Sequence, residues 1–180
     1  VGVTRIELHD DARNRTLLAL MVANQMLRRP LTNAEFCQIA TGVEQDDEYA
    51  QRLTRMAISR LRGLIGRNTI LTKSGTPRLN PALVRVDLLE AQQHINNALA
   101  AAGEMALFRA WSLMIAALDI VRGEVPFPTQ YERFFEAARD DFEHRLRSAV
   151  LHVVRLLLEE DDLQYAEELL RRTIQNMPGD

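Results

Sequence analysis

The sequence predicts a mainly α fold in two parts. A compact module of three helices and one basic hairpin comes first, and antiparallel helical hairpins follow to the end. Three observations carry this. Apolar residues recur at helical spacing through most of the chain, and almost without interruption after Pro81. Only Ile70 to Leu79 reads clearly as strand, turn and strand. The charge also changes between the parts. Residues 1–80 carry 12 basic and 8 acidic side chains, a balance of +4, whereas residues 81–180 carry 10 and 17, a balance of -7. A basic module joined to an acidic one is expected from such asymmetry. The length of 180 residues suits one or two small domains, and we place the boundary between 1–80 and 81–180.

In the first module, Thr4 to Leu8 alternates weakly, as a short strand would. Ala12 to Leu27 reads as a helix, with Leu17, Leu18, Met21, Val22 and Gln25 spaced for one buried stripe. Arg28-Arg29-Pro30 ends it. Thr32 followed by Glu35 three residues later is a capping box that starts a short helix, ending near Thr41-Gly42. Phe36, Ile39 and Ala40 are its apolar members. The acidic run Glu44 to Glu48 is a solvated loop that leads into a long helix from about Asp47 to Ile65.

In the long helix, Leu53, Met56, Ala57, Leu61 and Leu64 can share a buried stripe. Arg52, Arg55, Ser59 and Arg62, three and four apart, fall on another face, with Arg60 at the border. Gly66 stops the helix, Asn68 allows a turn, and Ile70 to Thr72 forms a strand. Lys73-Ser74-Gly75 supplies a tight loop, and Arg78-Leu79 starts the return strand.

Helix, short capped helix, Arg-faced helix and basic hairpin stand in the order of a winged helix-turn-helix. In that plan the long helix enters the major groove of double-stranded DNA and the hairpin touches the flanking backbone. The groove-facing set is then Arg52, Arg55, Ser59 and Arg62, with Gln51 near the N-terminal turn as a base reader. Lys73 and Arg78 become wing or phosphate contacts, and Arg13 and Arg15 at the start of the first helix reach phosphates. The plainer reading of the same helix is an amphipathic element with a solvated arginine face. The net charge of -3 excludes a protein that binds nucleic acid over its whole surface, but not one that binds it locally.

This module resembles the C-terminal winged helix of OmpR-type response regulators, and more closely the version in SARP-type antibiotic regulatory proteins. There a helix ending in V/I-S-R-L-R leads into a wing of the form T-x-x-G-x-G-Y-R-L. Ser59, Arg60, Leu61 and Arg62 match the first pattern, and Thr72, Gly75, Arg78 and Leu79 the second. The wing is one residue short, with Pro77 where Gly-Tyr stands in the family. The second helix lacks the family's common tryptophan, and the sheet before the first helix is reduced to Thr4–Leu8.

After Asn80-Pro81, the pattern predicts helices at about Asp87 to Ala102, Glu104 to Val121, Gln130 to Leu158 and Leu163 to Asn176. Gly103 breaks the first pair, Gly123 closes the second helix, and Asp161 or Asp162 caps the last. Short connections make these antiparallel hairpins in a solenoid-like layout. Leu99, Phe108, Trp111, Ile115, Leu118 and Ile120 are core candidates in the first hairpin. Phe134, Phe135, Phe142, Leu146, Val150, Val153 and Leu157 are those of the long helix. A second resemblance covers this part. Val86-Asp87-Leu88, Ala117-Leu118 before Val121-Arg-Gly-Glu124, and Asp162-Leu163, Ala166, Leu169 to Arg172 and Pro178 are similar to the bacterial transcriptional activation domain. That domain follows the winged helix in SARP-type regulators and belongs to the tetratricopeptide-like helical repeats. The resemblance implies gene regulation, with the helical part making a homodimer or contacting RNA polymerase or other regulatory domains. It also implies a repeat array that continues past Pro178. The chain begins with Val rather than Met, and we expect a piece of a longer protein. The alternative is a protein-interaction adaptor whose degenerate winged helix no longer binds DNA.

Other classes find little support. Cys37 is alone, so no intramolecular disulfide and no cysteine zinc site can form. The four histidines lack close metal-ligand spacing, and the carboxylate clusters read as caps and solvated faces. No phosphate-binding glycine loop or nucleophile motif is present, so we expect no enzyme, no cofactor and no metal. No apolar run approaches the roughly 18 residues needed to span a membrane, and nothing resembles a signal peptide. A cytoplasmic protein without a membrane partner is the expectation.

Overall fold

A computed structural model describes residues 12–44, 47–72, 75–122, 126–128, 130 and 132–176. The fold is mainly α, with seven helices and a single two-stranded sheet among the described residues. The chain divides into two compact units, Val1–Arg85 and Val86–Asp180. The expected strand at Thr4–Leu8, the loop residues Lys73 and Ser74, Gly123 and the tail from Met177 lie outside the described residues.

The first unit contains α1 (Ala12–Met26), α2 (Asn33–Thr41), α3 (Asp47–Ile65), β1 (Ile70–Leu71) and β2 (Arg78–Leu79). Its core gathers Leu17, Leu20, Met21 and Met26 of α1, Phe36 of α2, Leu61 of α3, and Ile70 and Leu79 of the strands. The capping box forms on both sides. The Glu35 amide donates to Thr32 Oγ1 at 3.3 Å, and the Thr32 amide donates to Glu35 Oε2 at 2.7 Å. That backbone bond first, and then the Thr32 hydroxyl, hold the Glu35 carboxyl below its ordinary pKa. Gly42 closes α2 in the left-handed region, at φ 69°. Gly66, at φ 109°, ends α3 by returning its amide to the Arg62 carbonyl at 2.9 Å. The strands pair antiparallel, Ile70 opposite Leu79 and Leu71 opposite Arg78.

The buried face of α3 differs from the expected one. Ala50, Thr54, Ile58 and Leu61 are buried, whereas Met56 and Leu64 are 49% and 56% exposed. The small side chains at 50 and 54 let α2 pack closely on α3. Thr54 carries no burial cost for its hydroxyl, which donates to the Ala50 carbonyl at 2.9 Å. Of the five residues expected in the stripe, only Leu61 is buried, and Leu53 and Ala57 are half-buried.

The second unit contains α4 (Asp87–Gly103), α5 (Leu107–Val121), α6 (Arg133–Glu159) and α7 (Leu163–Asn176). α4 packs along α5; α6 lies against α4 and α5, and α7 against α5 and α6. Phe135, Phe142, Leu146, Val150, Val153 and Leu157 of α6 fill the core as expected, with Met114 and Leu118 of α5. Phe108 and Leu99 do not belong to it, being 63% and 39% exposed. Phe108, Trp111 and Tyr165 instead form a three-ring cluster between α5 and α7, with centroids 4.9–5.6 Å apart. Arg172 of α7 ties the same two helices through Asp119, at 3.0 Å.

The hairpin turns are sharper than glycine placement suggests. Met105, not Gly103, takes the left-handed position after α4, at φ 56°. Ala106 then donates back to the Ala101 carbonyl at 2.9 Å, which delays α5 to Leu107. Asp161, at φ 62°, closes α6 in the same way, with the Asp162 amide on the Leu157 carbonyl at 2.8 Å. Asp161 therefore belongs to the end of α6, and Asp162 alone leads into α7. The start of α6 moves to Arg133 because Gln130 is buried in the preceding turn. Its amide donates to the Phe127 carbonyl, and its own carbonyl accepts from Arg139 at 2.8 Å.

Candidate nucleic-acid interface

The interface is built on α3. Turning the helix so that Ala50, Thr54, Ile58 and Leu61 face inward carries Arg52, Arg55 and Ser59 outward, and all three are exposed. The two arginines each have a local constraint. The Arg52 guanidinium sits 5.2 Å over the Tyr49 ring, and Arg55 Nε donates to the Gln51 carbonyl at 3.3 Å. These contacts spread two cations along one face and shorten the search that a flexible arginine makes for a partner.

Arg62 does not join that exposed face. Its Nη2 donates to the Ile70 carbonyl at 2.6 Å and to Thr72 Oγ1 at 3.1 Å. It is half-buried and braces the hairpin against the C-terminal half of α3. Gln51 is also half-buried. It lines a groove of about 630 Å³ with Arg55, Arg62, Thr72, Gly75 and Pro77, between α3 and the hairpin. Gly75 is at φ 105°, a conformation that favours glycine at the hairpin tip. Pro77 is buried, so the residue that departs from the family's wing pattern packs inward.

Arg78 is exposed on β2, and Arg13 and Arg15 are exposed in the first turn of α1. Lys73 lies outside the described residues. On α3 the exposed cations are Arg52 and Arg55, on the face of Ser59, and Arg60; Arg62 has a bracing position, and Arg13, Arg15 and Arg78 stand on other elements.

One positioning residue is absent from the sequence reading. Asn24 is buried in α1, 3% exposed. Its Oδ1 accepts from the Leu31 amide at 2.7 Å, and its Nδ2 donates to Thr76 Oγ1 at 3.3 Å. One amide side chain therefore holds both the α1–α2 link and the hairpin tip. The signal was visible: Asn24 continues the spacing of Leu17, Leu20 and Met21 on an apolar face, where a polar group must find partners.

No His, Cys, Asp or Glu group among the described residues could hold a metal ion. No helix among them is long and apolar enough to cross a membrane. No protein-family model matches the chain, and no curated protein matches it.

Proposed function

We propose that the first unit is a winged helix-turn-helix that binds duplex DNA, within a cytoplasmic transcriptional regulator of the kind the SARP resemblance implies. The observation that carries this is the exposed set Arg52, Arg55 and Ser59 on α3, next to a hairpin that Arg62 fastens to the same helix. Arg52 and Arg55 supply major-groove and phosphate contacts, and Ser59 a short polar one. Arg62 is a positioning residue: it sets the angle between helix and wing. Arg78, Lys73, Arg13 and Arg15 extend the phosphate contacts to either side. The second unit, a tetratricopeptide-like pair of hairpins, makes protein contacts.

One observation favours the adaptor reading. Tyr49, Met56 and Leu64 of α3 are 42%, 49% and 56% exposed, an apolar flank beside the cations. Selection of duplexes from a random pool by the full chain at low salt separates the two readings. The DNA reading expects an enriched motif whose selection is lost in Arg55→Ala. Recovery of no enriched sequence, and no retention of the pool itself, supports the adaptor.

A further inference from the structure

The groove between α3 and the hairpin is graded from an apolar floor to a polar rim. Ile58, Cys37 and Pro77 are buried and form the floor. Thr54 adds no free polar group there, because its hydroxyl is bonded to the Ala50 carbonyl. Gln51 and Arg62 are half-buried above them, and Asn33, Arg55 and Thr72 are exposed at the rim. The volume of about 630 Å³ is that of a small-molecule site, for which about 300–1,000 Å³ is usual.

The charge in this groove is unbalanced. No carboxylate lines it among the described residues. Arg55 makes one hydrogen bond, from Nε to the Gln51 carbonyl. Both bonds of Arg62 leave from Nη2 and end on neutral oxygens, and its Nε is buried without an acceptor. Two cations, one of them half-buried, thus stand two turns apart on α3 without a counter-charge. The second unit treats its arginines differently: Arg145, Arg171 and Arg172 each pair with a carboxylate. A guanidinium taken partly out of water and bonded only to neutral oxygens favours an anion beside it.

We propose that this groove binds a small organic acid, its carboxylate held by Arg55 and Arg62 and its apolar body on Ile58, Cys37 and Pro77. Asn33 adds an amide at the first position of α2, where the helix dipole also favours negative charge. Arg62 is bonded to the hairpin and Arg55 is exposed on α3, so the acid touches both elements that flank the groove. It also takes Arg55 away from a phosphate. The acid is therefore an effector that competes with duplex DNA, a consequence that rests on the proposed function; the binding itself does not.

Isothermal titration calorimetry of the full chain with 2-naphthoate, in the absence of DNA, tests the site. The expected result is saturable binding. The neutral amide of the same acid should bind at least about 10-fold more weakly, as loss of a charge-assisted hydrogen bond implies. Inorganic phosphate should also bind at least about 10-fold more weakly, because it leaves the apolar floor uncovered. Asn33→Asp sets a carboxylate at the rim and should weaken naphthoate about 10-fold, whereas Arg60→Ala, on α3 but outside the groove, should not change it. Both positions are exposed, so helicity by circular dichroism should be unchanged. Saturating naphthoate should then weaken duplex binding by the native chain. No binding of naphthoate overturns the proposal, as does equal affinity for acid and amide, or indifference to Asn33→Asp. Naphthoate bound without weakening a measurable duplex affinity overturns the effector role. Failure of the DNA reading looks different: the chain then has no duplex affinity before any acid is added, while the acid still binds.

Discussion

α3 and α7 are both amphipathic helices that bury a narrow apolar stripe, yet they present opposite outer surfaces. α3 buries Ala50, Thr54, Ile58 and Leu61 and turns Arg52, Arg55 and Ser59 outward. α7 buries Ala166 and Leu169 and leaves Leu163, Leu170 and Ile174 uncovered. The same folding requirement is met twice, and only the residues outside the core differ. A cationic outer face suits a polyanion, whereas an apolar one suits protein. Under the proposed function, the division of labour between the units would reside in surface positions that contribute little to stability.

That difference predicts a hierarchy of effects. The largest belong to the two cores. Phe142→Ala should destabilise the helical unit by about 3–5 kcal/mol, and Phe36→Ala the first unit by a similar amount. Thermal unfolding followed by circular dichroism should show each loss in a separate part of the transition; a uniform shift for both would mean that the units unfold as one.

Bracing residues come next. Arg62→Ala removes bonds to Ile70 and Thr72 and should cost about 1–2 kcal/mol, whereas Arg52→Ala should stay within about 0.5 kcal/mol of the native protein. Chemical denaturation measures both. Equal costs would contradict the assignment of Arg62 to the hairpin and Arg52 to the surface. Capping and turn residues are smaller still. Thr32→Ala should cost about 1 kcal/mol by removing the box that starts α2. Met105→Gly should raise stability by about 0.5–1 kcal/mol, because glycine takes the left-handed position without a Cβ clash.

The smallest expected effect is a pH dependence in the helical unit. Hydrogen bonds from Arg171, and then from Arg172, hold the Glu168 carboxyl below its ordinary pKa. A lowered folded pKa means that this contribution is complete above the ordinary value of 4.5 and fades as the pH falls through the folded value. Comparing Glu168→Gln with the native chain across that acid range should show their stabilities converging as the pH falls. A gap that widens there would reverse the sign.

Sequence and structure agree where local chemistry decides. The capping box at Thr32 and Glu35, the bounds of α3, and the strands of the hairpin follow from side-chain hydrogen bonding, helical period and glycine placement. They diverge where tertiary packing chooses between two acceptable faces. In α3 the larger residues Met56 and Leu64 suggested one buried stripe, but close packing of α2 selects the smaller Ala50 and Thr54. The left-handed positions at Met105 and Asp161 were hidden because neither is glycine. At the candidate interface, helical spacing placed Arg52, Arg55 and Ser59 on one face, as found. It could not show that Arg62, on the edge of that face, turns to the hairpin, since that depends on where the strand runs. The burial of Asn24 was legible from its place on an apolar face, but its partners, Leu31 and Thr76, were not, because they are set by chain path rather than by local pattern.

The salt dependence of duplex binding tests the central claim most directly. Fluorescence anisotropy of the full chain on a labelled duplex, repeated over a range of salt, gives log affinity against log salt. The six phosphate contacts assigned to Arg52, Arg55, Lys73, Arg78, Arg13 and Arg15 predict a slope of about -5.4 for the native chain, reduced in magnitude by about 0.9 for each cation removed. With Arg52→Ala and Arg55→Ala together the slope should fall to about -3.6. Absence of binding at low salt, or a slope unchanged by both substitutions, would contradict the assignment of the α3 face to DNA.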